Sequence, residues 1–152
     1  MPRAGFTAIH SGLITFGKDG RWYCDGEPIT NQAICRLYAR SMTIDADGTA
    51  RLQLGEDRAT VRLEDTPWVV VGVDGDPTHG FVVHLNDETS EPLDLESLRI
   101  GPGHVLSCGV KGRHRARFLR PAYYALMRHV EACDGGGVLR APGARVRLTP
   151  PR

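Results

Sequence analysis

Hydrophobic and polar residues alternate in short runs along most of this chain, and turn residues break the runs every few positions. The first such pair, LITFG and RWYC, reads as two β-strands around Lys18-Asp19-Gly20-Arg21. Asp-Gly tolerates the positive φ that a two-residue type I′ turn requires. That loop sets Phe16 opposite Tyr23 and Gly17 opposite Trp22. Ile14, Phe16 and Tyr23 then share one face, and Trp22 covers the glycine from the other. Thr30 is expected to cap the following helix, because its hydroxyl accepts from free first-turn amides, with Ile29 and Ile34 as staple residues. Ile34, Leu37 and Tyr38 form the helix's apolar stripe.

Residues 43–85 read as strands broken by Asp-Gly, Gly-Glu-Asp, Asp-Gly-Asp-Pro and His-Gly turns. DADG is such a turn rather than a calcium loop, since that alignment puts Leu54 where a bidentate glutamate belongs. EPLDLESLRI reads as a strand ending in a loop, and HVLSCGVKGRHRARFL as a second hairpin. PAYYALMRHVEAC reads as a helix with Pro121 in its first turn, an apolar stripe of Tyr123, Leu126, Met127 and Val130, and Gly135 just past its end. The tail is loop with at most one short strand. RLQLGEDRATVRLEDTP and VLSCGVKGRHRARFLRP share one layout of strand, glycine turn, strand and proline. A repeated unit and a chance recurrence of hairpins both account for this. The fold class is α+β: two similar subdomains of antiparallel strands, each with one main helix, at residues 1–66 and 67–152, meeting near residues 66–69.

The 152 residues suit one compact unit or two small subdomains sharing a core. A net charge of +1 gives no bulk attraction to nucleic acid or membrane. The N-terminal stretch has no apolar core or small-residue cleavage pattern, and no apolar run approaches the roughly 20 residues of a membrane span. A cytoplasmic location follows, with Cys24, Cys35, Cys108 and Cys133 as free thiols. No C-x-x-C pair occurs, so no metal site is expected, and no cofactor.

Candidate chemistry concentrates in KGRHRARFLR. Lys111, Arg113, Arg115 and Arg117 alternate at period two and so share a strand face. A three-residue loop, Val110-Lys111-Gly112, places Arg113, Arg115 and Arg117 opposite Gly109, Ser107 and Val105, with Leu106, Cys108, Ala116 and Phe118 on the core face. The small partners leave room for an anion among guanidiniums, which grip phosphate bidentately. The competing reading is a solvated face paired with carboxylates. His114 falls opposite Cys108 in this register, but a buried thiol away from positive charge is inert. No H-E-x-x-H, phosphate loop or G-x-S-x-G occurs, and Glu64 and Asp65, being adjacent, face opposite ways on a strand. Trp22 has no apolar partner in its hairpin except Cys24. It is therefore expected to be buried where the halves meet, near Trp68, or against a second copy in a homodimer.

DGRWYCDGEPI, RLYA, LEDTPW and RPAYYAL, in that order, resemble a conserved proteobacterial family of unknown function over about residues 12–130, with GGGVL a looser match. The resemblance implies a duplicated α+β core, a second half loosely like a pleckstrin-homology domain, a cleft between the halves for a nucleotide-like ligand, and a role in signalling. It carries no catalytic residue. The expectation is a protein that binds a small anionic or nucleotide-like ligand without catalysis, through Lys111, Arg113, Arg115, Arg117 and Trp22. One rival is an RNA-binding module stacking bases on Tyr23 or Trp22, which the near-zero charge disfavours. Another is an enzyme without a recognisable motif, which perturbed pocket carboxylates would reveal.

Overall fold

The structure, a computed structural model, describes residues 12–150. The reading of residues 1–11 as free of a secretory leader lies outside them. The chain divides into two units, Met1–Pro67 and Trp68–Arg152. No helix among the described residues is long and apolar enough to cross a membrane.

In the first unit, β1 (Ile14–Phe16), β2 (Trp22–Cys24) and β3 (Glu27–Pro28) precede α1 (Gln32–Ser41), and β4 (Met42–Ile44), β5 (Ala50–Leu54) and β6 (Asp57–Leu63) follow it. They form one sheet in the order β3-β2-β1-β6-β5-β4. β1 is antiparallel to β2 but parallel to β6, so the wholly antiparallel expectation is corrected at the centre of the sheet. A parallel pair needs a long crossover, and the chain from β2 through β5 supplies it.

The first hairpin is shifted by one residue from the expected register: Phe16 pairs with Trp22 and Thr15 with Tyr23. The loop is longer than two residues because Asp19 organises it. Its carboxylate accepts from Arg21 N at 3.0 Å and from the Tyr23 hydroxyl at 2.5 Å. A one-residue slip reverses every side chain. Trp22 joins Phe16, at 4.8 Å between ring centroids, and meets the α1 residue Tyr38 edge-on at 5.5 Å. All three are buried in the core of the first unit. Tyr23, not Trp22, covers Gly17, where a Cβ would lie 2.9 Å from the Tyr23 ring. α1 begins one residue later than expected. Asn31 is its cap, with Oδ1 accepting from Ala33 N and Ile34 N.

The second unit contains β7 (Trp68–Asp76), β8 (Gly80–Leu85), β9 (Ser90–Pro92), a 3-10 turn at Leu95–Ser97, β10 (Arg99–Gly101) and a 3-10 turn at Pro102–His104. β11 (Val105–Val110), β12 (His114–Phe118), α2 (Arg120–Met127), β13 (Glu131–Cys133), β14 (Gly136–Ala141) and β15 (Ala144–Leu148) complete it. Its larger sheet runs β10-β11-β12-β7-β8-β9, with β12 parallel to β7. Numbered from its own first strand, it has the same order as the first sheet. The helices break the likeness: α1 lies between the third and fourth strands of its unit, whereas α2 follows the sixth.

The tail is not irregular. β13, β14 and β15 form a three-stranded antiparallel sheet. α2 stops at Met127, and Gly135, at φ 79°, shapes the β13–β14 turn rather than ending a helix. The buried residues Val70, Phe81, Leu85, Leu106, Phe118, Ala122 and Leu126 contribute to the second unit's core. α2 packs along β7 through its small and aliphatic face.

Candidate functional site

The β11–β12 hairpin carries most of the candidate residues. Cys108 pairs with Ala116, Gly109 with Arg115, Ser107 with Arg117 and Val110 with His114. The three-residue loop is therefore Lys111-Gly112-Arg113, one position later than expected. The pairing moves by two positions, so the faces survive. Leu106, Cys108, Ala116 and Phe118 are buried, and Arg115 and Arg117 are half-buried on the other face. Arg113 leaves the strand and stands exposed in the turn.

Lys111 adopts a left-handed backbone, φ 52°, and its ammonium turns toward the β8–β9 connection. Nζ lies 2.9 Å from Asp87 Oδ2 and 3.2 Å from Thr89 Oγ1, and 5.2 Å from the centre of the Trp68 ring. Its amide donates to Glu91. Burial alone would raise the Asp87 pKa, but hydrogen bonds from Thr89 and Lys111 outweigh it and hold the carboxyl below its ordinary value. Lys111 thus ties the hairpin to β9 and the β8–β9 connection, which are not its neighbours in the sheet.

Arg115 has different surroundings. Its Nη2 donates to Ser97 O at 2.8 Å and to Ser107 Oγ at 2.9 Å. Arg99, across the sheet on β10 opposite Ser107, donates from Nη1 to the same Ser97 carbonyl at 3.0 Å. Two guanidiniums therefore converge on one neutral oxygen. Burial, followed by the charge of Arg99, holds the Arg115 pKa below its ordinary value. Ser97 is fixed there because its Oγ accepts from Gly109 N at 2.9 Å and donates to Asp94 O at 2.6 Å. A cleft of about 500 Å³ opens beside Arg99, Arg113, His114 and Arg115. Glu91, Asp94 and Glu96 also line it. Glu91 accepts from Lys111 N, and Asp94 from Glu96 N. Arg99, Arg113 and Arg115 make no ion pair with a carboxylate among the described residues.

Arg117 lines a different cleft, of about 280 Å³, with His104, Arg120, Tyr123 and Tyr124. The structure therefore brings Arg113 and Arg115 together, places Arg117 in a neighbouring recess, engages Lys111 with Asp87, and buries Trp22 in the first unit. Arg99 and Ser97 were not foreseen, because the irregular segment before β10 hides which hairpin strand Arg99 joins.

Two other constellations have structural explanations. The expected Cys108–His114 apposition is absent: Cys108 faces Ala116, and burial pushes its thiol pKa up to about 12. His114 packs 5.4 Å from the Trp68 ring instead. On β7, β8 and β9, His84 Nδ1 lies 2.6 Å from Ser90 Oγ and its Nε2 lies 2.6 Å from Asp74 Oδ2. A hydrolase triad keeps its carboxylate buried beside an oxyanion site, whereas the Asp74 side chain is 80% exposed. This is cross-strand pairing on a solvated sheet face. No three His, Cys, Asp or Glu side chains among the described residues are placed to hold a metal ion.

No family model matches the sequence, and no curated protein matches it. Solved structures do. A DUF1285 family protein from Silicibacter pomeroyi DSS-3 superposes with a TM-score of 0.70 at 20% identity, over 99% of this chain and 87% of that one. A DUF1285 family protein from Shewanella baltica OS155 gives a TM-score of 0.61 at 16% identity, over 80% of this chain and 94% of that one. At such identities the likeness concerns architecture: the chain has the mixed α+β fold of these bacterial DUF1285 family proteins.

Proposed function

We propose that this protein binds a small anionic, nucleotide-like ligand in a regulatory role and catalyses no reaction, with Arg99, Arg113 and Arg115 surrounding the anion. The observation that carries this reading is the convergence of Arg99 and Arg115 on the Ser97 carbonyl without a carboxylate between them. Two like charges held together favour a ligand that neutralises both, and planar guanidiniums match phosphate oxygens. The neighbouring His114 ring offers a flat surface beside the anion. The shared strand order of the two large sheets supports a duplicated core. The location expected for such a sensor is the cytoplasm.

A thermal-shift series with nucleotides, phosphometabolites and inorganic phosphate tests it, since a specific ligand raises stability by mass action. At least one phosphate-bearing compound is expected to raise the melting temperature saturably. Arg115→Gln, with its fold checked by circular dichroism, is expected to weaken that ligand about 10- to 100-fold, the value of one charge-assisted contact. If no anion shifts the melt, or if Arg115→Gln binds as the parent does, the reading fails.

A further inference from the structure

We infer that the cleft of about 500 Å³ beside the β11–β12 hairpin selects a guanine nucleotide, with the phosphate at Arg99 and Arg115 and the base on the Glu96 carboxylate. The inference rests on the anion reading above and adds the identity of the base. The cleft is bipolar. Its cations, Arg99, Arg113 and Arg115, stand on β10 and the β11–β12 hairpin. Its carboxylates, Glu91, Asp94 and Glu96, stand on β9 and the β9–β10 connection. No ion pair joins the two sets among the described residues.

The three carboxylates differ in what they already hold. Both Glu91 oxygens face Lys111 N, at 3.1 and 3.3 Å. Asp94 Oδ1 accepts from Glu96 N at 3.1 Å and so serves its own turn. The Glu96 carboxylate accepts no hydrogen bond and pairs with no cation among the described residues. Its backbone is nevertheless anchored on both sides. Leu95 is buried, and the Ser97 hydroxyl sits between Asp94 O and Gly109 N. The Ser97 carbonyl is the oxygen on which Arg99 and Arg115 converge. The free carboxylate and the seat for the anion thus belong to adjacent residues of one anchored turn.

An ionised carboxylate accepts hydrogen bonds and donates none. The guanine edge presents a ring N–H and an exocyclic amine side by side, one donor for each carboxylate oxygen. Adenine presents a donor beside a ring acceptor, whose lone pair would face the carboxylate. A site built to hydrogen-bond one partner rejects the analogue that lacks the matching group. The His114 ring, packed 5.4 Å from Trp68, lines the same cleft and gives the purine an aromatic surface. A polyphosphate would set its charge against three carboxylates; a nucleotide brings its phosphate to the guanidiniums and only donors to Glu96.

Calorimetry on the full chain compares guanosine, inosine and adenosine monophosphates, O-phosphoethanolamine and inorganic phosphate. Guanosine monophosphate is expected to bind about tenfold more tightly than inosine monophosphate, which lacks the exocyclic amine, and about a hundredfold more tightly than adenosine monophosphate, each charge-assisted bond contributing about a factor of ten. Glu96 is exposed, so Glu96→Gln leaves packing intact. That variant is expected to erase the preference for guanosine over adenosine monophosphate without weakening inorganic phosphate. Equal affinity for the two nucleotides, with both lost in Arg115→Gln, would overturn the guanine assignment and leave the anion reading standing. A guanine preference that survives Glu96→Gln would overturn it as well. O-phosphoethanolamine binding more tightly than guanosine monophosphate would assign the carboxylates to an ammonium group instead, and binding of no phosphate compound would overturn both readings.

Discussion

Among single side chains, Asp87 couples the second unit's stability to protonation. It is 7% exposed and accepts from Thr89 N at 3.1 Å, from Thr89 Oγ1 at 2.5 Å and from Lys111 Nζ at 2.9 Å. Its folded pKa is lowered, burial opposing and the Thr89 and Lys111 bonds prevailing. A lowered carboxylate pKa means stability that is present above the ordinary carboxylate range and lost as pH falls through the folded value. Asp87→Asn is therefore expected to flatten the acid limb of stability between roughly pH 5 and pH 2. At neutral pH it should cost about 2–3 kcal/mol, at or below the low end of the roughly 3–5 kcal/mol for breaking a buried pair, because the Lys111 side chain is 26% exposed and partly solvated. Urea unfolding of parent and variant across this range checks both effects; parallel pH profiles would show that Asp87 does not titrate with folding. The alternation of Lys111 with the arginines was legible in the sequence. Its partner was not, because Asp87 comes from a different hairpin.

At the scale of elements, the capping of α1 separates two adjacent polar residues. Asn31→Ala is expected to cost about 1 kcal/mol, as the loss of a helix cap does, while Asn31→Ser recovers most of it and Thr30→Ala changes little. Thermal melts of the three variants decide this; equal losses at Thr30 and Asn31 would show that the cap is shared. The sequence located most elements through their turns. DADG closes β4 onto β5, with Gly48 N donating to Asp45 O, and KGR closes β11 onto β12. Register was harder to read. A side chain such as Asp19 can lengthen a loop by hydrogen-bonding inside it, and periodicity cannot register that. Alternation also reads the same for parallel and antiparallel neighbours, so the central pairs β1–β6 and β7–β12 were invisible. β13 to β15 were obscured by glycines, which score as loop although Gly136 and Gly137 pair within the sheet.

At the scale of the whole molecule, each unit holds one tryptophan, and the two should report separately. Trp22 is enclosed by Phe16 and Tyr38, whereas Trp68 lies against Lys111 and His114, and His114 lines the cleft with Arg115. An anion in that cleft is expected to change the emission of Trp68 alone. The response in a titration should persist in Trp22→Phe and vanish in Trp68→Phe; a response lost with Trp22 instead would place the ligand elsewhere. The expectation that both tryptophans mark one junction came from the hairpin register that the Asp19 loop displaces. The segments RLQLGEDRATVRLEDTP and VLSCGVKGRHRARFLRP, which share one layout in the sequence, form the fifth and sixth strands of their respective sheets. That order also has a bearing on how the protein is made. In each unit the first strand pairs with the sixth, Ile14 with Val61 and Trp68 with Ala116. As the chain leaves the ribosome, the outer hairpins are available before the middle of the sheet is, and the opening strand keeps one edge bare until the closing strand emerges. Loop closure over such separations makes folding slow. A nascent or truncated chain that stops before β6 or β12 therefore presents an open strand edge, which is the template on which strands of other chains add.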